Sequence, residues 1–342
     1  MINVGIVGVT GYTGEELVRL LLQHPQVTVT AVSASAKMER PTAIGELYPR
    51  FAGRLKLFCK SLNVSEVAAA CDVVFLALPH GTAMEIAPEF LHQGKKVIDL
   101  SGDFRLKDPA LYEQWYGFTH ASPALLREAV YGLTEYFRHQ LRTATLVANP
   151  GCYPTSILLA ALPLFRKGWV SDGGLIADAK SGITGAGRKT ERPFLFAEAN
   201  ENLRAYKLNA HQHLPEMTEI CSQVAGRPVT MTFVPHVVPL NRGLLATLYV
   251  TLRPTRTAQE VAQAFEDAYS REPFVRVRGN GALPEIRDVV ETNYCDIGYR
   301  YDEATGGLIL VSVIDNLTKG AAGQAIQNMN VMYGLDETLG LV

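Results

Sequence analysis

Two stretches of this chain combine residue types that do chemistry at a useful spacing. The first is Asn149-Pro150-Gly151-Cys152-Tyr153-Pro154-Thr155, which sets a thiol in a turn ahead of an apolar run, 156–166, that reads as a helix. Pro150 and Pro154 restrict their own φ and disfavour helix at Asn149 and Tyr153, while Gly151 tolerates backbone angles closed to other residues. A cysteine just ahead of a helix lies near unpaired N–H groups and the positive end of the helix dipole, which favour thiolate over thiol. Cys152 is therefore read as a nucleophile and not as an inert core thiol.

The second stretch is Tyr206-Lys207-Leu208-Asn209-Ala210-His211-Gln212-His213-Leu214-Pro215-Glu216. Two histidines followed by a carboxylate invite a metal reading, but the spacing is not one of the usual zinc patterns and no cysteine is near in sequence. Pro215 and Glu216 read more simply as the start of a helix. No metal is expected. One of the two histidines suits proton transfer at neutral pH.

These groups need a scaffold, and the first half of the chain supplies a strand-and-helix alternation. Residues 2–9 read as a buried strand and 15–23 as a helix with Leu17, Leu20 and Leu21 on one face. Between them stands Gly8-Val9-Thr10-Gly11-Tyr12-Thr13-Gly14. Its glycine spacing departs from the usual dinucleotide fingerprint, but its place at the first strand-to-helix turn lets backbone approach a pyrophosphate. The next strand, 27–33, ends without the acid that would bind a ribose diol. Ser33, Ser35, Lys37 and Arg40 follow instead, hydroxyls and cations suited to a 2′-phosphate. The expected cofactor is NADP.

Strand 73–78 ends at Leu78-Pro79-His80, and strand 97–100 ends at Ser101-Gly102-Asp103-Phe104-Arg105. Ligands of open α/β sheets collect at the carboxyl ends of strands, so Leu78, Pro79, His80 and Ser101 are cofactor candidates and Arg105 an anion ligand. Strand 144–148 then delivers the chain to Cys152.

Past the helix at 156–166, a strand at 174–179 leads into Lys180-Ser181-Gly182-Ile183-Thr184-Gly185-Ala186-Gly187-Arg188-Lys189, read as a loop that offers N–H groups to an oxyanion or phosphate. Long strands at 230–235, 244–252 and 308–315, with a helix at 257–270, make the second domain α+β around a large mixed sheet. A small-residue helix from 315 to about 333 should return against the first domain with Asn316 near its crevice.

At 342 residues, two domains are expected: a Rossmann-type doubly wound parallel domain, 1–150 completed by 316–342, and a catalytic and oligomerisation domain, 151–315. Hydrophobic content of 47% and charge of 19% are those of a globular protein. Thirty-two cationic against 34 acidic side chains, with no long basic block, argue against nucleic acid. Five scattered cysteines, never in a C-x-x-C pair, argue against a disulfide framework. No leader-like segment opens the sequence and no apolar run reaches about 18 residues, so a cytoplasmic protein with no membrane partner is expected.

The chain resembles the N-acetyl-γ-glutamyl-phosphate reductases, within the wider group that includes aspartate-semialdehyde dehydrogenase. The resemblance rests on the Gly8–Gly14 turn, Asp99-Leu100-Ser101-Gly102-Asp103-Phe104-Arg105, the Cys152 turn, the loop after Ser181, the His211 to Glu216 segment and Asp315-Asn316-Leu317-Thr318-Lys319-Gly320-Ala321-Ala322-Gly323. It implies NADPH-dependent reduction of N-acetylglutamyl 5-phosphate to the semialdehyde and phosphate, the third step of arginine biosynthesis through acetylated intermediates. It further implies that Cys152 forms a thioester, that His211 is the acid/base and that Arg105 binds phosphate. Gly8, Thr10, Gly11, Tyr12, Thr13, Gly14, Gly182, Gly185 and Asn316 fall on the cofactor's side. Asn149, Ser181, Arg188, Tyr206, His213 and Glu216 fall on that of the acyl-phosphate substrate. A homodimer or homotetramer is implied. One departure is Gln212, where relatives often carry Arg between the histidines. The competing enzyme is another phosphorylating semialdehyde dehydrogenase, acting for example on aspartyl phosphate. A thiol redox sensor that binds NADPH is the non-enzyme alternative, and it has no need of His211 or Arg105.

Overall fold

The computed structural model describes residues 1–35, 37–188 and 190–342. Ala36 and Lys189, which belong to two of the stretches named above, lie outside the described residues. Two compact units emerge, one of residues 1–151 with 321–342 and one of residues 152–320.

The first unit is built on six parallel strands: β1 Ile2–Val7, β2 Val27–Ser33, β3 Val73–Leu76, β4 Lys96–Asp99, β5 Val130–Tyr131 and β6 Leu146–Ala148, in the order β2-β1-β3-β4-β6-β5. The centre of the sheet is covered on both faces, and every residue of β3 is buried, which explains an unbroken Val-Val-Phe-Leu run where a half-buried strand would alternate. Helices α1 Tyr12–Leu21, α2 Val64–Ala70 and α3 Ala83–His92 make the crossovers, and Leu17, Leu20 and Leu21 are buried as their spacing predicts. The first strand stops at Val7, short of the expected Val9, because Gly8 turns the chain at φ +93°. For the same reason α1 starts at Tyr12 and not at Glu15, which puts Thr13 and Gly14 inside its first turn.

Helix α4, Thr134–Leu141, and the C-terminal helix complete this unit. The latter is fully buried and unusually polar. Gln324 Nε2 donates to Gly132 O (3.0 Å) and Thr134 Oγ1 (2.7 Å), and Asn328 Nδ2 donates to Gly132 O (2.8 Å) and Asn149 Oδ1 (3.1 Å). The donor nitrogens of both buried amides meet acceptors, while Gln324 Oε1 has no partner, and these four directed bonds hold the helix in one register.

The second unit carries a mixed seven-stranded sheet: β7 Val170–Gly182, β8 Arg204–Ala205, β9 Thr232–Val238, β10 Leu244–Leu252, β11 Val275–Asn280, β12 Cys295–Asp302 and β13 Gly307–Ile314, in the order β8-β9-β7-β10-β13-β12-β11. Helix α5, Cys152–Arg166, lies on its inner face beside α6, His213–Ala225, and α7, Ala258–Tyr269. Leu158, Leu159, Leu162 and Leu164 of α5 are wholly buried, each worth about 2 kcal/mol of burial. Three expectations need correction. Helix α5 begins at Cys152 and not at Ser156, since the N–H that Pro154 lacks is one the first turn would leave unpaired anyway. Ser181 and Gly182 close a 13-residue strand, paired to Leu244 and Val238, and are not loop. Strands β11 and β12 escaped notice because Arg276 and Arg278 interrupt the first and Asp296 the second, yet the three side chains meet: both guanidiniums donate to the buried Asp296 carboxylate.

The opposite face of this sheet is open. Ile176, Tyr249 and Ile309 sit side by side there in register, each more than 40% exposed. Among the described residues no helix is long and apolar enough to cross a membrane.

Candidate active site

In the glycine turn two of three glycines are required by the chain itself. A Cβ on Gly8 would lie 2.1 Å from Ala77 O, and one on Gly14 would lie 2.3 Å from Gly8 O. Gly11 differs: its φ is −82° and an added Cβ would meet nothing nearer than Gly8 O at 3.6 Å. Its bare backbone, flanked by half-buried Thr10, Tyr12 and Thr13, leaves a surface at the start of α1. The turn is braced by Tyr48, whose hydroxyl donates to Val9 O (3.0 Å), and by the N–H groups of Gly8 and Val9, which donate to Ser33 O. Ser33 itself is buried, and its Oγ has no hydrogen-bond partner in the structure. Ser35 and Arg40 are exposed beyond it, Arg40 paired with Glu46 at 3.0 Å.

The loops after β3 and β4 are tied together. Asp103 Oδ1 accepts from Gly81 N (2.7 Å) and Oδ2 from Met84 N (3.0 Å), capping α3, while Gly102 N donates to His80 Nδ1 (2.8 Å). Ser101 donates to Asp99 through both its N–H (2.9 Å) and its hydroxyl (2.8 Å). Hence Ser101, proposed from sequence as a cofactor contact, is buried and spends its side chain on Asp99, whereas Pro79 and His80 are exposed. Leu78 is buried in the core of this unit. Burial, reinforced by the neighbouring Asp103 charge, pushes the Asp99 carboxyl up to about 7, and burial raises Asp103 too. Neither acid was given a role from sequence, although both lie in the Asp99 to Arg105 motif.

Arg105 is also buried. Its Nε donates to Asn149 O (2.8 Å) and its Nη2 to Leu100 O (2.9 Å), so the guanidinium braces the segment that leads to Cys152. Asn149 is held in turn by Asn328 and by Ala321 O (3.1 Å).

In the second unit, Cys152 opens α5 half-buried, while Cys59, Cys71, Cys221 and Cys295 are buried. Next to it Tyr153 donates to His236 O (2.8 Å) and lies 3.5 Å, hydroxyl to hydroxyl, from Tyr206. The Tyr206 hydroxyl stands 3.4 Å from His211 Nε2, and His211 Nδ1 accepts the backbone N–H of His213 at 3.1 Å. The rings pack edge-on, Tyr153 against His211 at 5.7 Å and Tyr206 against His211 at 5.5 Å. Burial pushes Tyr206 up to about 12 and Tyr153 further, with the Cys152 charge adding to both, so the phenols stay neutral donors. The fold thus brings Cys152, Tyr206, His211 and His213 into one cluster and adds Tyr153, which sequence reasoning passed over although it adjoins the thiol.

Glu216 is wholly buried in the first turn of α6, away from solvent. Ser181 is buried, with its hydroxyl on Gly182 O (3.1 Å). Asn316 Nδ2 donates to Thr184 Oγ1 (3.0 Å) and its Oδ1 accepts from Gly243 N (2.8 Å), which ties Gly182 to Gly185 to the end of β13. Arg188 is exposed.

Comparison with known proteins gives a consistent reading. Residues 3–144 match the family described as semialdehyde dehydrogenase, NAD binding domain, and residues 152–316 match semialdehyde dehydrogenase, dimerisation domain. A protein of Symbiobacterium thermophilum named N-acetyl-gamma-glutamyl-phosphate reductase is 51% identical over 342 residues, covering 100% of this chain and 97% of its own. One of Geobacter metallireducens with the same name is 47% identical, covering 100% and 98%. The chain belongs to the N-acetyl-gamma-glutamyl-phosphate reductase family. That membership bears out the resemblance drawn from the motifs, and with it the expected pairing of a nucleotide-binding parallel-sheet domain with a second domain on a mixed sheet. Aspartate semialdehyde dehydrogenase II of Vibrio cholerae, complexed with ASA, shares the fold at a TM-score of 0.72 and 17% identity, with 98% of each chain covered. Aspartate semialdehyde dehydrogenase with NADP from Candida albicans does so at 0.70 and 16%, covering 97% of this chain and 98% of that one. The match to the semialdehyde dehydrogenase dimerisation domain starts at Cys152 itself, which is also the first residue of α5.

Proposed function

We propose that this chain reduces N-acetyl-L-glutamyl 5-phosphate to N-acetyl-L-glutamate 5-semialdehyde and phosphate with NADPH, through a thioester on Cys152. The observation that carries the reading is the packing of Tyr206 and His211 against Tyr153, the residue next to Cys152 at the start of α5, in a chain about half identical to the reductases over its full length. The Cys152 thiolate attacks the acyl carbon, the C–O bond to phosphate breaks with its electron pair, and a thioester remains. Reduction and collapse of the resulting thiohemiacetal return the thiolate and free the aldehyde. His211 carries the proton that the substrate oxygen takes and gives up, and the neutral phenol of Tyr206 orients its Nε2.

The residues fit NADPH. Bound, it supplies the hydride that turns a thioester into an aldehyde. Gly11 offers a bare backbone for the pyrophosphate, and Gly8 and Gly14 make the turn that presents it. Thr10, Tyr12 and Thr13 line that surface, Pro79 and His80 stand exposed for the nicotinamide end, and Gly182, Gly185 and Asn316 are assigned to the same ligand. The absence of an acid after β2, with Ser35 and Arg40 exposed there, favours the 2′-phosphate. Arg105 is assigned to the acyl phosphate by family likeness, and Asn149, Ser181, Arg188, Tyr206, His213 and Glu216 are assigned to the same substrate from their stretches of sequence. The open face bearing Ile176, Tyr249 and Ile309 supports a homodimer.

The reverse reaction tests the assignment. Purified protein with NADP⁺ and phosphate should form NADPH with N-acetylglutamate semialdehyde and not with aspartate semialdehyde. Turnover of the second aldehyde alone would replace the substrate, and turnover of neither would sink the reading.

A further inference from the structure

We propose that Gly320, held by an Arg242–Asp315 clamp, is the positioning residue of the nucleophile: its missing side chain is the space in which Cys152 sits. The chemical consequence rests on Cys152 being the nucleophile. A Cβ on Gly320 would lie 2.8 Å from Cys152 Cβ, 3.2 Å from Cys152 Cα and 3.2 Å from Ile314 Cδ1. The two cysteine atoms belong to the rigid start of α5 and cannot swing aside as a long side chain's tip would. Gly320 is not among the glycines at positive φ, so its backbone is open to other residues and the shortest contact that excludes a side chain is the one to Cys152, the Ile314 tip being free to give way.

The segment around it is clamped. Gly320 N donates to Asp315 O (2.9 Å) within a π-helical turn, Thr318–Ala322, a rare conformation that recurs at functional sites. The Asp315 carboxylate is wholly buried and accepts five hydrogen bonds: from Arg242 Nε (2.8 Å) and Nη2 (3.0 Å), and from the backbone N–H groups of Leu317 (2.8 Å), Thr318 (3.0 Å) and Glu291 (2.7 Å). Arg242 Nη2 also donates to Thr318 Oγ1 (2.9 Å). A planar fork on a buried carboxylate fixes both partners, which a lysine cannot reproduce. Gly320, Asp315 and Arg242 therefore act on the reaction through Cys152, without touching substrate.

Native alkylation by iodoacetamide reads the thiol directly, since the other four cysteines are buried. Gly320→Ala should slow Cys152 alkylation at least about threefold and lower kcat about 10- to 100-fold, with KM for NADPH within about twofold. A folded Gly320→Ala protein with wild-type alkylation rate and kcat would overturn the proposal. Because that variant strains the chain, Arg242→Lys provides a second arm. It should slow alkylation in the same direction and displace its pH profile, whereas a fall in Tm with unchanged alkylation would reduce the clamp to a fold-stabilising role and equally overturn the claim. Alkylation needs no substrate, so a wild-type protein inactive on the acyl phosphate would defeat the proposed function while leaving this comparison decisive.

Discussion

The backbone N–H of His213 donates to Nδ1 of His211. An imidazole nitrogen that accepts a hydrogen bond carries no proton, so the neutral ring holds its proton on Nε2, the nitrogen that faces the Tyr206 hydroxyl. The two histidines are thus unequal, and His213 does its part through the main chain. His211→Asn should lose about 10² to 10⁴ in kcat, the usual worth of a general acid/base. His213→Asn keeps the donor and should lose far less. Steady-state rates across pH decide it: if His213→Asn erased a pH limb that His211→Asn retained, the roles would be exchanged.

Gly11 and Gly14 should fail differently when changed to Ala. Gly14→Ala drives a methyl into Gly8 O and should lower Tm by several degrees, whereas Gly11→Ala, with its nearest neighbour at 3.6 Å, should fold normally. It should still raise KM for NADPH by about tenfold, because the methyl occupies the approach of the pyrophosphate. Cofactor titration by fluorescence separates the two, and unchanged affinity in Gly11→Ala would remove the turn from the cofactor site.

Cofactor preference should hinge on Ser35 and not on Ser33, whose buried Oγ cannot reach a phosphate without rearrangement. Ser35→Glu should cut the NADPH:NADH ratio of kcat/KM by about tenfold through repulsion of the 2′-phosphate. Equal use of both cofactors by the wild type would contradict the reading of this loop.

Asp99 predicts a pH dependence of stability. An unfolded aspartate loses its proton near 3.9 and the folded one near 7, so between those values the folded state binds more protons and stability falls as pH rises. Below about pH 4 the contribution is fully present, and above about pH 7 it is gone. Asp99→Asn keeps the acceptor for Ser101 N and should flatten the fall, raising Tm by on the order of 2–4 °C at pH 7.5 relative to wild type. Parallel Tm curves from pH 5 to 8 would refute it.

Tyr249→Asp places a charge at the centre of the Ile176, Tyr249, Ile309 row and should convert a dimer to monomer by light scattering. A wild type already monomeric at micromolar concentration would leave that face without its proposed partner.

Apolar periodicity made the strands beside the glycine turn, the helix after Cys152 and the Leu244–Leu252 strand legible, because burial there writes itself directly into residue type. Arg276, Arg278 and Asp296 hid two strands, since pairing charge with charge across a sheet leaves no apolar signal in either segment. The chemistry-bearing residue types Cys152, His211 and Tyr206 could be named from local sequence. Tyr153, Asp99, Asp315 and Gly320 could not, for their importance lies in contacts between segments distant in the chain. Gly320 in particular reads as a helix-packing glycine until its distance to Cys152 is known.

The buried C-terminal helix, Gly323–Met332, also sets an order of assembly. Residues 152–320 are synthesised before the helix that satisfies Gly132, Thr134 and Asn149. The second unit therefore holds all of its own chain while the first, synthesised earlier, still waits with an open polar groove. A released chain ending near residue 320 would hold every strand of the mixed sheet while the parallel-sheet unit still lacked its last helix, so the half that begins first is the half that closes last.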